Sequence, residues 1–185
     1  MFWDYIKITD ISAEDFAATY ALLDPTRKEH IDSLKNEKDR LCSLGGEILA
    51  KKLLREHCKI TQPIIKRDNK GKPYIENSNF HISISHCDQT VVCAVHNAPL
   101  GIDIERIRPV KDPLVSRVCT ADEQAYLAAA QGESERLSRF FEVWTAKEAY
   151  FKRLGTGITT FKSVNILGLD RKIIRMEDYV IQIVI

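Results

Sequence analysis

The sequence predicts an α+β fold of two pseudo-symmetric lobes, each made of helices packed on a small antiparallel sheet. Three observations carry that expectation. Apolar residues recur at helical spacing over 12–58 and again over 120–154. Alternating or wholly apolar short segments fill 81–107 and the tail beyond 162, as strands do. The turn Asn97-Ala98-Pro99 separates the two helix-then-strand runs, so the lobes are placed at 1–98 and 99–185.

Taken in order, Ser12 and Asp15 resemble a capping pair for a first helix over 12–23, which Asp24-Pro25 stops. Thr26 caps a second helix over 27–34. A third, over 39–58, buries Leu44, Ile48, Leu53 and Leu54 and carries Gly45-Gly46 near its start. Each glycine weakens a helix by roughly 1 kcal/mol relative to alanine, which points to a close backbone approach there. Residues 67–73 form a turn with basic side chains on both sides of Gly71. In 81–86, Ile82 and Ile84 share one face while His81, Ser83 and Ser85 share the other. An apolar strand at 91–95 and an alternating one at 100–107 follow. Thr120 with Glu123 marks a capping box for a helix over 120–130. A longer helix runs over 133–154 until Gly155 and Gly157 stop it. Segments 162–167, 172–176 and 179–185 read as strands joined by turns.

Composition narrows the function classes. The 185 residues are 44% apolar and 29% charged, which excludes disordered and fibrous chains. A net charge of +1 gives no global pull toward nucleic acid or membrane. The longest uncharged run of interest, between Asp88 and Asp103, is far too short to span a bilayer. Asp4 and Lys7 interrupt the apolar start, so no signal peptide is expected. Cysteines 42, 58, 87, 93 and 119 form no CxxC pair and read as reduced thiols of a cytoplasmic protein. The charge is graded along the chain: residues 1–26 carry net −4, 27–72 net +6 and 99–150 net −2. A basic segment facing an acidic one suits an anionic ligand held with a metal cation, although Lys51, Lys52, Arg55 and Lys59 also fit the solvated face of a helix.

Three short features carry chemistry. In Gly101-Ile102-Asp103-Ile104-Glu105 the isoleucines turn to the core, and Asp103 and Glu105 share the other face. Neighbouring carboxylates repel unless a cation or proton separates them, and oxygen ligands without a His/Cys cluster favour Mg²⁺. The plainer reading is an edge strand whose acids pair with Arg106 or Arg108. On the long helix, Trp144, Glu148 and Lys152 fall on one stripe. An ordinary surface Glu–Lys pair is the simpler alternative, but the tryptophan one turn away argues for partial burial. Ser85-His86 and Gly71-Lys72-Pro73 supply a hydroxyl, an imidazole and an ammonium suited to phosphate oxygens, or else simply a strand-end turn. A Ser/His hydrolase fits poorly, because no GxSxG elbow exists and adjacent strand residues diverge.

In order and spacing, Gly71-Lys72-Pro73, Ser85-His86, Gly101–Glu105 and the helical run from Trp144 to Lys152 resemble the 4′-phosphopantetheinyl transferases. The length resembles their two-lobed, surfactin-synthetase-activating class rather than the half-size trimeric one. The resemblance is strong over 71–157 and loose before it. It implies that coenzyme A binds between the lobes with Mg²⁺ on its pyrophosphate. A serine of an apo acyl or peptidyl carrier protein would attack the β-phosphate, take the phosphopantetheine and release adenosine 3′,5′-bisphosphate. By motif, the resemblance implies Asp103 and Glu148 as metal ligands, with Glu105 a third ligand or the holder of a metal-bound water. Lys152 would neutralise phosphate or protonate the leaving group. Lys72, Ser85 and His86 would contact phosphates, and Gly71 and Pro73 would shape the adenine side. Glu148 is also the base implied by the class. A carboxylate bound to Mg²⁺ is a weakened base, so a water positioned by Glu105 is the other candidate.

Basic residues of the early helices usually meet the 3′-phosphate in this family; here Arg27, Lys28 and His30 are available. Cys42 falls where an arginine contact is common, so Arg40 is expected to reach in instead. Carrier recognition is expected from loops around 108–120, and a monomer is expected because both lobes of the cleft lie in one chain. Asp103→Ala is expected to abolish metal binding and turnover while sparing the fold. Rival readings are a phosphodiesterase or nuclease, which would want further acidic pairs, and a non-catalytic module binding coenzyme A or a carrier, which would be expected to lack Asp103, Glu148 or Lys152. A nucleic-acid role for 27–72 would need more stacking aromatics than Tyr74 and Phe80.

Overall fold

The computed structural model describes residues 1–158 and 160–185. The first lobe comprises β1 (Phe2–Lys7), α1 (Ala13–Ala21), α2 (Pro25–Ser33), α3 (Glu37–Cys58), β2 (Ile65–Arg67), β3 (Pro73–Ile75), β4 (His81–Cys87) and β5 (Thr90–His96). Its five strands form an antiparallel sheet in the order β1-β5-β4-β3-β2. The second comprises β6 (Gly101–Arg106), α4 (Asp112–Val118), α5 (Ala121–Ala128), α6 (Glu133–Leu154), β7 (Arg171–Met176) and β8 (Tyr179–Val184), with sheet order β6-β8-β7. Each lobe is thus a 22-residue helix, α3 or α6, laid on an antiparallel sheet.

The two sheets stack face to face between those helices. Val91, Cys93 and Val95 of β5 pack with Leu49, Leu53 and Leu54 of α3. The alternate residues Val92 and Ala94 meet Ile102, Ile104, Ile181 and Ile183 of the other sheet. Behind that sheet, Val180 packs with Phe140, Val143 and Ala146 of α6. Strand β5 is therefore covered on both faces, which explains its unbroken apolar run. The expected Ile48 is only half-buried; the packed face of α3 presents Leu49 and Ala50, with the carboxylate Glu47 also buried.

Glycines set two close approaches. A Cβ on Gly46 would lie 3.0 Å from Ile84 Cγ2, and one on Gly45 would lie 3.4 Å from Val91 Cγ2. The contact expected from Gly45-Gly46 is thus that of α3 with β4 and β5. At Gly101 a Cβ would fall 1.8 Å from the Ala149 carbonyl oxygen, because α6 rides directly on β6.

Several boundaries differ from the sequence expectation. Helix α2 is capped by Asp24, whose carboxylate accepts from Arg27 N at 3.0 Å, and begins at Pro25, where a missing N–H costs nothing. Asn36 caps α3 two residues earlier than expected. Strands β1, β2 and β3 and helix α4 were not foreseen: the first three depend on distant partners, and α4 is a short helix without a side-chain cap. Segment 162–167 is not a strand but two 3-10 turns, Phe161–Ser163 and Ile166–Gly168. Its backbone is engaged by side chains instead: Lys147 donates to the Phe161 carbonyl, and Ile166 N donates to Glu123. No described helix is long and apolar enough to cross a membrane.

Replacing Gly101 with alanine is expected to cost more than about 2 kcal/mol in urea unfolding, since backbone rather than a flexible side chain blocks the added methyl. Gly168→Ala, with open space around it, should stay within about 0.5 kcal/mol of the parent.

Candidate active site

The lobes are pinned together by a carboxylate. Asp103 stands opposite Gln182 in the β6–β8 ladder and so faces α6; Ser85 stands opposite Val92 and so faces the second sheet. Lys152 Nζ donates to Asp103 Oδ1 at 2.6 Å and to Ser85 Oγ at 2.7 Å, while Ser85 Oγ itself donates to Asp103 Oδ1 at 2.7 Å. Asp103 Oδ2 is buried with no hydrogen-bond partner among the described residues. Ser83 Oγ accepts from Ile102 N at 3.1 Å, so the polar face of β4 is spent on joining the lobes.

Glu105 is held differently. Its Oε1 accepts from the Trp144 indole at 3.2 Å and its Oε2 from Arg108 Nη1 at 3.1 Å. The arginine pairing weighed from the sequence is therefore made, alongside a tryptophan bond that local spacing did not reveal. Lys152 pairs with Asp103, in place of the surface Glu148–Lys152 pair. Glu148 is half-buried, and burial, then the negative charges of Asp103 and Glu105, push its carboxyl up to about 7 against a counterpull from Lys152.

Two cavities open along this seam. One of about 310 Å³ lies between the lobes and is lined by Lys72, Pro73, Ser83, Glu148 and Lys152 among others. The second, about 840 Å³, lies in the first lobe against Arg27, His30, Cys42, Ser43 and His86. Arg67, Gly71 and Ile84 line both. Ser85 and His86 point to opposite sides of β4, as alternation requires, so the hydroxyl goes to Asp103 and the imidazole to the larger cavity. Burial, then the charge of Lys152, holds His86 below its ordinary value. Gly71, at φ +82°, closes a turn in which the Asp68 carboxylate accepts from the N–H groups of Lys70 and Lys72, each at 2.9 Å. Lys72 crosses the cleft to donate to the Arg153 carbonyl near the end of α6, and burial lowers its pKa.

Arg40 does not reach in. Its guanidinium donates to the Leu34 and Asp32 carbonyls at the end of α2, at 2.6 and 3.3 Å, and it lines neither cavity. Sequence reasoning missed Arg67 and Glu47, which no local motif marks. The expectation that Asp103 adds little to the fold also needs correcting, because its side chain is 6% exposed and ties two lobes.

Among the described residues, no three His, Cys, Asp or Glu side chains already close around a point that could hold a metal ion. The donor set still fits a hard divalent cation. Asp103 keeps a buried, unpartnered oxygen, and Glu148 resists ionising beside two other carboxylates, so the site is short of positive charge.

A cleft between two helix-on-sheet lobes, acidic at its floor and flanked by lysines and arginines, suits a phosphorylated ligand held with a divalent cation. Residues 99–181 match the family model of the 4′-phosphopantetheinyl transferase superfamily, and residues 10–98 that of the 4′-phosphopantetheinyl transferase N-terminal region. The chain belongs to this superfamily. It is 37% identical over 138 residues to the 4′-phosphopantetheinyl transferase gsp of Aneurinibacillus migulanus, covering 74% of this chain and 56% of that protein. To the 4′-phosphopantetheinyl transferase Sfp of Bacillus subtilis it is 26% identical over 152 residues, covering 80% and 67%. To the L-aminoadipate-semialdehyde dehydrogenase-phosphopantetheinyl transferase of Rattus norvegicus it is 28% identical over 152 residues, covering 74% and 49%. The chain thus spans about half the length of several curated relatives it matches.

Because Glu148 holds its proton to a higher pH when folded than when unfolded, its contribution to stability is greatest below about 4.5 and is lost as pH rises toward about 7. Without divalent cations, Glu148→Gln should flatten that decline in a thermal-unfolding series across pH; an unchanged slope contradicts the assignment. Asp103→Ala should cost about 1–3 kcal/mol in urea unfolding, through the partners it strands.

Proposed function

We propose that the chain transfers 4′-phosphopantetheine from coenzyme A to a serine of an apo acyl or peptidyl carrier protein, with Mg²⁺ bound. The observation that carries this reading is the crowding of Asp103 and Glu105 around Glu148, which together with Lys152 and Lys72 lines the smaller cavity between the lobes. Asp103 and Glu148 would hold the ion, with Glu105 as a third ligand or the holder of a water. Bound there, Mg²⁺ supplies charge neutralisation on the pyrophosphate and orients it.

The remaining work falls to the chain's own side chains. Lys72 and His86 would donate to phosphate oxygens; Ser85, whose hydroxyl proton goes to Asp103, would do so only by giving up that bond, and Gly71 and Pro73 would shape the adenine side. Glu148, or a water positioned by Glu105, would accept the proton of the carrier serine; holding the ion makes the Glu148 carboxylate a weaker base, which favours the water. The serine oxygen forms a bond to the β-phosphorus as the bond to the departing adenosine 3′,5′-bisphosphate breaks. Lys152 neutralises the charge that grows on the leaving phosphate. Most of the acceleration comes from fixed positive charge and in-line placement, as in other phosphoryl transfers. Both walls of the cleft belong to one chain, which suits a monomer, and five free cysteines suit the cytoplasm.

The test is the intact mass of an apo acyl carrier protein incubated with the chain, coenzyme A and Mg²⁺. One phosphopantetheine should be added, and none in the presence of a chelator. Glu148→Gln should slow the transfer by roughly a hundredfold or more, since the variant loses both a ligand of the ion and a candidate base. Coenzyme A bound without transfer to several unrelated carriers would replace this reading with that of a non-catalytic binding module.

A further inference from the structure

Gly155 ends α6, but ending a helix does not by itself require the absence of a side chain. Its φ of +68° and the bond from its N–H to the Phe151 carbonyl at 2.9 Å make it the left-handed residue at the helix terminus. Asparagine also serves that position in helices. What stands in the way of a side chain comes from the other lobe. A Cβ at 155 would lie 2.9 Å from Lys72 Cδ, 3.6 Å from its Nζ and 3.9 Å from its Cε. Gly157 supplies the contrast: at nearly the same φ, +70°, a Cβ there would have nothing within 4 Å.

Lys72 is held at both ends. Its N–H donates to Asp68 Oδ1 at 2.9 Å and its carbonyl accepts from Asp68 N at 3.0 Å, which anchors its base. Its ammonium donates to the Arg153 carbonyl, one of the last-turn oxygens that find no partner inside a helix. The negative end of the helix dipole favours a cation there as well. Between those ends the stem lies over the bare backbone of Gly155, and both residues line the smaller cavity with Glu148 and Lys152. A free lysine loses much rotamer freedom when its ammonium binds, whereas a stem already laid down loses less.

We propose that Gly155 is a positioning residue: the surface left bare by its missing side chain is the track along which Lys72 crosses between the lobes, and it delivers the ammonium into the smaller cavity beside Lys152. The inference rests on reading the cleft as a coenzyme A site, where that ammonium meets phosphate oxygens. Because the group in the way is the flexible end of a lysine, a side chain at 155 displaces Lys72 and leaves α6 where it is. The damage therefore falls on ligand binding rather than on packing.

The experiment is calorimetric titration with coenzyme A and Mg²⁺, without a carrier, beside urea unfolding of the same variants. Lys72→Ala should weaken binding by roughly tenfold or more, the size of a lost charge-assisted contact. Gly155→Ala should reproduce most of that loss, and in the Lys72→Ala background it should add less than about twofold. Gly155→Asn, which tolerates the left-handed backbone, should unfold closer to the parent than Gly155→Ala yet bind as weakly. Gly157→Ala carries the same backbone strain into open space, so it should lose stability while coenzyme A affinity stays within about twofold of the parent. A Gly155→Ala loss that persists undiminished without Lys72, or parent-like binding by Gly155→Asn, overturns the role of Gly155. A Lys72→Ala chain that binds as tightly as the parent overturns the role of Lys72 with it. A parent chain that does not bind coenzyme A overturns the reading of the cleft itself.

Discussion

A buried carboxylate shared by two lobes is the constraint on which the rest of the structure depends. Asp103 needs an ammonium and a hydroxyl within reach, and these come from α6 and β4. For β4 to deliver Ser85, its polar face must turn toward the second sheet, so Ser83 accepts a backbone N–H there as well. For α6 to deliver Lys152, the helix must lie against β6, which only a glycine at 101 allows. Ile102 and Ile104 then fall on the opposite face, into the apolar layer between the sheets. Packing and site chemistry are two faces of one strand.

A second buried pair keeps α6 from rotating. Lys147, fully buried, meets Glu123 of α5 at 2.6 Å and also donates to the Val118 and Phe161 carbonyls. Glu123 in turn accepts from Thr120 N and Ile166 N, so one carboxylate caps α5 and fastens the segment after α6. Adjacent residues on a helix are about 100° apart. Fixing Lys147 toward α4 and α5 therefore leaves Glu148 facing the cleft. Breaking one partner of such a pair leaves an uncompensated charge and costs several kcal/mol, so the orientation of the helix is firmly set.

What could be read from the sequence follows from what is local. The alternation of 81–86 and 101–105, the stripe through Trp144, Glu148 and Lys152, and the capping box at Thr120 are set by neighbours within one turn or one pleat, and each is present in the fold. Short strands β1, β2 and β3 exist only through distant partners, and 162–167 looked like a strand because its apolar content was visible while the side chains claiming its backbone were not. The cleft divides in the same way. Asp103, Glu105, Glu148 and Lys152 lie in compact motifs. Glu47 and Arg67 are joined across 20 residues by a partly buried ion pair that no periodicity encodes, and Arg40 is drawn away from the cleft because the carbonyls at the end of α2 compete for it.

Lys72 gives the cleft a further property. Its ammonium has three protons, and one is committed to the Arg153 carbonyl across the lobes. The others can serve an anion without surrendering that bond. Latch and ligand therefore draw on the same group without competing for the same donor. By thermodynamic reciprocity, an anion that binds the latched form more tightly also strengthens the latch, by the same factor.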